Sequence, residues 1–333
     1  MMDTTSTSTS HSGDLDEAAT PSHAVIRRSE MIGATLNVGG QPIDLSEYAT
    51  TGIVGVGVGP RGCGKTNVGQ LIGEQLADQG WQTILFDPEN EQEQMYGEAV
   101  SGPEELRHLL MARSRKIVVV RAANAAEFVP YGRVVLEVSD LIRKPLFVVI
   151  DEGQLFSATR KRSENIGEAA DIINEFVGRG RKRALDLYVT ALRFTGSVHR
   201  LIFANKNLTF IGCQEDAAAW STLAPQFKSS GIDFSDLSAL APGEFFCISR
   251  RGIDKVKTPM AEALRRVAPA AKAVKRALPA TFSQWDRAMR GIPTERLQGL
   301  TDPVMTLLGK VAGLSQQQML AGQAALQDEL EAR

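Results

Sequence analysis

A cluster of glycines immediately before Lys65 and Thr66 is the part of the sequence best suited to chemistry. Residues 59–66 read GPRGCGKT, which fits the phosphate-loop pattern GxxxxGK[ST]. Glycines there let backbone N–H groups surround a polyphosphate, and a helix that begins at this point adds the positive end of its dipole. Lys65 can contact the β- and γ-phosphates, while the Thr66 hydroxyl can ligate Mg²⁺. The predicted nucleotide-binding residues are Gly59, Pro60, Arg61, Gly62, Cys63, Gly64, Lys65, Thr66 and Asn67.

Two adjacent acids, Asp151 and Glu152, follow the apolar run Leu146–Ile150. An apolar run of this length is typical of a buried strand, whose carboxyl end would place both acids beside the phosphate loop. The first acid can then hold Mg²⁺ together with Thr66, and the second can take a proton from an attacking water. Alone, such a pair is more often a solvated strand end. Combined with the phosphate loop, it predicts hydrolysis of a nucleoside triphosphate, with Mg²⁺ as the metal.

Other chemistries have little support. The four histidines are scattered without an HxxxH spacing, so zinc catalysis and a histidine-based triad are not expected. Three widely separated cysteines provide neither a disulfide framework nor a paired metal site, which favours a cytoplasmic location. Residues 205–208 read NKNL and lack the Asp of the guanine-specific NKxD motif. ATP is therefore the predicted nucleotide.

From Leu36 onward, short apolar runs alternate with segments of helical periodicity, which predicts an α/β fold with a parallel sheet covered on both faces. The predicted strands are Gly52–Val58, Thr83–Phe86, Ile117–Val120, Leu146–Ile150, Leu185–Thr190 and Leu208–Gly212. The predicted helices are Thr66–Gln79, Pro103–Ala112, Tyr131–Ile142, Glu164–Arg183 and Asp216–Phe227. Hairpins are expected around residues 39–40 and between the runs Glu244–Arg250 and Lys255–Lys257.

Composition divides the chain into three predicted parts: a disordered Ser/Thr-rich leader at 1–34, a phosphate-loop domain at 35–259, and an Ala-rich helical region at 260–333. The 333 residues carry 37 Lys and Arg against 39 Asp and Glu, so a uniformly basic DNA-coating protein is not expected. No apolar stretch approaches the roughly 18 residues of a membrane span. No direct membrane span is therefore predicted.

The order of motifs from Gly52 to Val256 resembles the HerA–FtsK superfamily of P-loop ATPases, whose members move DNA through ring-shaped oligomers. Beyond the phosphate loop and the acid pair, the matching elements are FDPE at 86–89, GRGRK at 178–182, the strand Leu187–Thr190, Arg193, and APGEFF at 241–246. The resemblance implies a RecA-like (ASCE) P-loop fold with a mostly parallel sheet covered by helices, to which the C-terminal region is a helical appendage. It also implies a homo-oligomeric ring, with a hexamer as one candidate size.

The same resemblance implies a catalytic set of Lys65, Glu152, Arg181 and Arg193, in which Arg181 reaches the nucleotide of a neighbouring subunit. An arginine finger of this kind contributes about 10³–10⁵ in rate. The sequence departs from the family at Leu192, which stands where the family has a polar sensor Gln. Thr190 is the candidate substitute for that sensor.

Three basic or acidic groups have a structural interpretation beside the functional one. A solvated basic helix end would also explain the side chains Arg179, Arg181, Lys182 and Arg183. Asp87 and Glu89 match the family's acidic strand end, or they cap the next turn. The run Arg250–Arg276, which has nine Lys or Arg and two acids, suits sequence-independent contacts to DNA phosphates or an ordinary solvated helix face. Arg160–Arg162, in a loop just after the acid pair, suit the same DNA contacts at the pore of a ring.

The predicted function is an ATP-hydrolysing translocase acting on double-stranded DNA without sequence preference. The compact arrangement resembles viral genome-packaging ATPases, for which a portal, capsid or membrane-vertex protein is an expected partner and virion association an alternative location. Pumps for plasmid or chromosomal DNA would have the same motifs. A nucleotide-switched assembly factor with weak hydrolysis and a P-loop kinase are the alternative functions.

Overall fold

The computed structural model describes residues 34–157, 164–194, 200–267 and 323–327. Its main feature is an eight-stranded sheet with the order β10-β9-β8-β3-β7-β6-β4-β5. The strands are β3 (Val54–Val58), β4 (Gln82–Asp87), β5 (Ile117–Arg121), β6 (Leu146–Ile150), β7 (Leu185–Ala191), β8 (Leu208–Ile211), β9 (Glu244–Ser249) and β10 (Gly252–Lys257). Strands β3 to β8 are mutually parallel, and the antiparallel hairpin of β9 and β10 closes one edge. The predicted α/β fold with an edge hairpin is confirmed.

The strand order brings distant parts of the sequence together. β7 lies between β3, which leads into the phosphate loop, and β6, which leads into the acid pair. Because these three strands are parallel, their carboxyl ends lie at the same edge of the sheet. A second, two-stranded sheet pairs β1 (Thr35–Leu36) with β2 (Ile43–Asp44), which confirms the hairpin predicted around residues 39–40.

Helices connect the parallel strands. They are α1 (Lys65–Asp78), α2 (Glu93–Tyr96), α3 (Pro103–Ala112), α4 (Ala125–Ile142), α5 (Gln154–Ser157), α6 (Glu164–Arg183), α7 (Arg200–Asn205), α8 (Ala217–Phe227) and α9 (Phe234–Ser238), with a 3₁₀ turn at Leu45–Tyr48. Residues 262–267 and 323–327 are also helical. None of the described helices has the combination of length and apolar character that spanning a bilayer requires.

Alternate residues of the central strands face opposite sides of the sheet, and both sides are buried. On β6, Leu146, Val148 and Ile150 belong to the core shared with α4 and α6, whereas Phe147 and Val149 belong to the core shared with α1. A strand buried on both faces has no polar side to alternate with its apolar one. This two-sided burial explains why the strands appear in the sequence as unbroken apolar runs.

The predicted start of α4 at Tyr131 is wrong, because the helix begins six residues earlier at Ala125. The Asn124 side chain accepts a hydrogen bond from the Glu127 N–H at 3.1 Å, and the Glu127 carboxylate accepts one from the Ala123 N–H at 2.9 Å. This cap stabilises a helix that continues through Pro130, which removes one intrahelical hydrogen bond.

The segment after β10 is attached to the phosphate-loop helix. The Asn67 carboxamide donates to Pro259 O at 3.0 Å and accepts from the Ala261 N–H at 2.8 Å. Two turns further along α1, the Glu74 carboxylate accepts from the N–H groups of Glu262 and Ala263 at 2.6 and 2.9 Å. The predicted domain boundary at residues 259 and 260 therefore falls within a segment bonded to α1. The predicted leader and most of the C-terminal region lie outside the described residues.

Candidate nucleotide-binding site

The phosphate loop connects β3 to α1 through glycines in conformations that other residues rarely adopt. Gly64 precedes α1 with φ = 101°. A Cβ on Gly59 would lie 2.7 Å from the Cys63 sulfur. Cys63 is buried and burial raises the pKa of its thiol, so this side chain fills the loop as a neutral group. Its carbonyl accepts a hydrogen bond from the Gly243 N–H at 2.9 Å, which anchors the loop to the start of β9.

The Lys65 ammonium lies against the loop. Its Nζ donates to Pro60 O at 2.8 Å and lies 3.9 Å from the Cys63 sulfur. Below it, the Tyr188 hydroxyl donates to Lys65 O at 3.3 Å, and burial raises the pKa of that phenol well above its ordinary value. Since Lys65 is only 8% exposed and its amine is held by one carbonyl, the charge is positioned for an anion seated in the loop.

Thr66 and Asp151 form the candidate metal site, as the sequence predicts. The Thr66 hydroxyl lies 3.1 and 3.0 Å from the two carboxylate oxygens of Asp151. Mg²⁺ in phosphate-transfer sites takes one or two protein oxygens and completes its shell with phosphates and water. Within the residues that the structure describes, no group of three or more His, Cys, Asp or Glu side chains is arranged to hold a metal by itself. This donor pair fits Mg²⁺ that arrives with a nucleotide.

Glu152 faces the phosphate loop across an open cleft with an empty volume of about 810 Å³. Its backbone has φ = 49°, an unusual value for a residue other than glycine. Its carboxylate lies 3.9 Å from the Arg61 guanidinium on the opposite wall. The cleft is lined by Arg61, Gly62, Lys65, Thr66, Glu89, Glu91, Asp151, Glu152, Gln154, Thr190, Ala191 and Leu192. The structure thus brings the two predicted motifs to one cavity.

Several of the predicted site residues have other partners. The side chain of Asn67 is bonded to residues 259 and 261, so only its backbone remains to serve a nucleotide. Asp87 is buried and caps the next turn by accepting from the Gln92 N–H at 2.8 Å, which supports the capping interpretation. Glu89 lines the cleft. Glu91 also lines the cleft but was not among the predicted residues, although it lies two residues after Glu89 in the acidic segment that follows β4.

Glu91 is the acid whose ionisation the cleft disfavours most clearly. Burial raises its pKa above the ordinary value, and the negative charges of Asp87, Asp151, Glu89 and Glu152 raise it further. At neutral pH an ionised Glu91 adds to the negative potential that a triphosphate must overcome. Protonation of Glu91 removes that repulsion as the pH falls through the raised pKa.

Replacing Glu91 with Gln is expected to tighten ATP binding about threefold at pH 7.5 and low salt, a modest effect because the side chain is partly solvated. The ratio of the dissociation constants of wild type and Glu91→Gln should move toward one as the pH falls through the raised pKa of Glu91, because the native side chain then becomes neutral. Fluorescence titration with a labelled ATP analogue over a descending pH series measures this ratio. A ratio that does not change with pH would contradict the repulsion argument.

The predicted arginines lie in different places. Arg193 is exposed just after Leu192. Arg181 belongs to the last turn of α6, and its side chain lies outside the described residues. A 20-residue helix is about 30 Å long, and α6 ends just before the amino end of β7. That turn lies at the edge of the sheet opposite the chain's own phosphate loop. The contact of Arg181 with the nucleotide of a neighbouring subunit remains a prediction.

The neighbours of Arg181 favour the structural interpretation. Arg183 is buried and forms a two-pronged ion pair with Asp140, with N–O distances of 2.5 and 2.6 Å. Glu175 accepts a further bond from Arg183 at 3.3 Å and lies 3.2 Å from Arg179. Both arginines therefore fasten the end of α6, and Arg183 joins it to α4.

The basic runs proposed for DNA contact are only partly described. Arg160–Arg162 lie outside the described residues. In the second run, Arg250 bonds Thr51 at 2.8 Å and lies over the Tyr48 ring, while Arg251 pairs with Glu47 at 2.6 Å. These two side chains hold the β9–β10 hairpin to the 3₁₀ turn, which favours the structural interpretation for this part of the run.

Solved structures with the same fold include viral and bacterial proteins. The genome-packaging NTPase B204 from Sulfolobus turreted icosahedral virus 2, in complex with AMPPCP, is 16% identical with a TM-score of 0.50, and the match covers 63% of this chain and 100% of that chain. VirB4 of Thermoanaerobacter pseudethanolicus is 10% identical with a TM-score of 0.52, and the match covers 69% of this chain and 98% of that chain. No protein-family model and no curated protein sequence matches the chain. By its strand order, its phosphate loop and its similarity to these structures, the chain has an α/β P-loop NTPase fold.

Proposed function

We propose that the chain is an ATP-hydrolysing DNA translocase of the HerA–FtsK type. The observation that carries the proposal is the convergence of phosphate loop and acid pair on one cleft, which is lined by Lys65, Thr66, Asp151 and Glu152. A nucleotide-binding protein that only switches between states does not need a carboxylate opposite the phosphates. Glu152 in that place supports hydrolysis.

Each residue then has a distinct task. Lys65 exchanges its contact with Pro60 O for phosphate oxygens, and backbone N–H groups at the start of α1 face the same anion. Thr66 and Asp151 would hold Mg²⁺, which neutralises charge on the β- and γ-phosphates when bound. Glu152 accepts a proton from the water that attacks the γ-phosphate. In an assembled homo-oligomeric ring, Arg181 and Arg193 would add positive charge beside the bound nucleotide.

Duplex DNA is the proposed substrate for movement, held through its phosphates without sequence preference. The similarity of the fold to a genome-packaging NTPase supports viral DNA packaging as the specific role. A portal, capsid or membrane-vertex protein would be its partner, in the cytoplasm or at the virion. Movement of plasmid or chromosomal DNA would use the same chemistry on another cargo.

An ATPase assay of the full chain with and without duplex DNA, repeated over a salt series, tests the proposal. We expect DNA to stimulate phosphate release and the stimulation to decline steeply with salt, since phosphate contacts release counterions. Lys65→Ala should abolish both basal and stimulated activity. Phosphate release that requires a small acceptor molecule instead of DNA would indicate a kinase, and ATP binding without phosphate release would indicate an assembly switch.

A further inference from the structure

Thr190, the next-to-last residue of β7, contacts the turn that carries the acid pair. Its hydroxyl donates to Asp151 Oδ1 at 2.6 Å and accepts from the Glu152 N–H at 2.8 Å. Its carbonyl accepts from the Gly153 N–H at 2.9 Å. The residue is 1% exposed, so water has little access to compete for these bonds. Three consecutive residues of the turn are thus fixed by one threonine.

The turn requires such support. Glu152 adopts a left-handed backbone conformation, which is unfavourable for a side chain with a Cβ and persists only where neighbouring groups hold it. The Asp151 carboxylate has two oxygens to orient, and the hydroxyls of Thr66 and Thr190 both lie within hydrogen-bonding distance of them. Leu192, two residues beyond Thr190, lines the cleft without a polar side-chain atom to share this task.

We propose that Thr190 is a positioning residue that acts through both acids. Its hydroxyl holds the Asp151 carboxylate beside Thr66, and it fixes the backbone at Glu152 so that the Glu152 carboxylate faces the phosphate loop. Thr190 needs no contact with nucleotide for either effect. The part that concerns Glu152 rests on the proposed hydrolysis, whereas the part that concerns Asp151 requires only that nucleotide and Mg²⁺ bind.

Valine has the shape of threonine but no hydroxyl, so Thr190→Val is the decisive variant, and Thr190→Ser restores the hydroxyl. Thr83→Val is the matched control, because Thr83 is a fully buried strand residue whose hydroxyl donates to Gly73 O at 2.9 Å, away from the cleft.

We expect Thr190→Val to lower kcat about 10- to 100-fold, as loss of orientation at a general base does, with KM changed less than about threefold. Thr190→Ser should restore kcat to within about threefold, and Thr83→Val should leave it unchanged.

A second readout does not depend on turnover. The Mg²⁺ concentration that half-saturates binding of a non-hydrolysable ATP analogue should rise about tenfold in Thr190→Val, because groups that orient a metal ligand typically contribute about 10- to 100-fold. It should remain at the wild-type value in Thr83→Val. Should Thr190→Val fail to fold, Thr190→Ala carries the same expectations.

The outcomes separate the two proposals. If wild type hydrolyses ATP and Thr190→Val matches Thr83→Val in both kcat and Mg²⁺ dependence, the inference about Thr190 is overturned. If wild type binds the analogue but releases no phosphate, the proposed function fails, and the Mg²⁺ comparison alone decides the role of Thr190 toward Asp151. An unchanged half-saturation value would then overturn the inference, and a raised value in Thr190→Val alone would support it.

Discussion

Glu152→Gln is expected to lower ATP turnover by about 10²- to 10⁴-fold, the usual contribution of a general base. Glutamine has the size of glutamate but cannot accept the proton of the attacking water. The contacts that hold the nucleotide belong to the phosphate loop, so ATP affinity should change by less than about threefold. Measuring kcat by phosphate release and affinity by fluorescence titration separates these two effects.

Glu89→Gln is the matched control for this prediction, because Glu89 lines the same cleft and the chemical change is identical. Turnover by this variant should stay within about threefold of wild type, since it loses only a nearby charge. If Glu152→Gln hydrolyses ATP as fast as wild type, the base lies elsewhere. If neither wild type nor variant hydrolyses ATP, the chain is better described as a nucleotide-switched assembly factor.

The local elements of the fold could be predicted because each depends on neighbouring residues. The phosphate loop is defined by eight consecutive positions, and β6 by an apolar run that ends at Asp151. The helix α4 was predicted to start at Tyr131, directly after Pro130, whereas the cap formed by Asn124 and Glu127 indicates the observed start at Ala125. A capping pair three residues apart was visible in the sequence, so this error could have been avoided.

The relation between Thr190 and the acids depends on strand order, which local patterns do not determine. Thr190 lies 39 residues from Asp151 in the sequence and reaches it because β7 pairs directly with β6. The local sequence pattern of residues 151–190 does not specify that β7 lies between β3 and β6 in the sheet. The sequence identified Thr190 only as a candidate sensor, and its hydrogen bonds to the acid-pair turn required the structure.

The acid-pair turn also rests on an aromatic cluster centred on Phe128 of α4. The Phe128 ring lies 4.7 Å from the Phe86 ring, 4.9 Å from the Phe156 ring and 6.5 Å from the Phe176 ring, measured between centroids. Phe86 directly precedes Asp87, and Phe156 lies four residues after Glu152. All four rings are at most 1% exposed. The cluster therefore joins β4, α4, α5 and α6 beneath the cleft.

Phe128→Ala is expected to reduce the free energy of unfolding by about 3–5 kcal/mol, because it removes buried apolar area and leaves a cavity that close-packed neighbours fill only partly. Leu141→Ala on the same helix is the matched control, since Leu141 is 64% exposed and should change stability by less than about 0.5 kcal/mol. Urea denaturation followed by circular dichroism measures both values, and a loss below about 1 kcal/mol for Phe128→Ala would contradict the packing argument. The cavity in Phe128→Ala would loosen the acid-pair turn from the side of the aromatic cluster but leave its hydrogen bonds to β7 intact. If the folded variant turns over ATP at the wild-type rate, the orientation of Glu152 therefore depends on Thr190 rather than on the aromatic cluster.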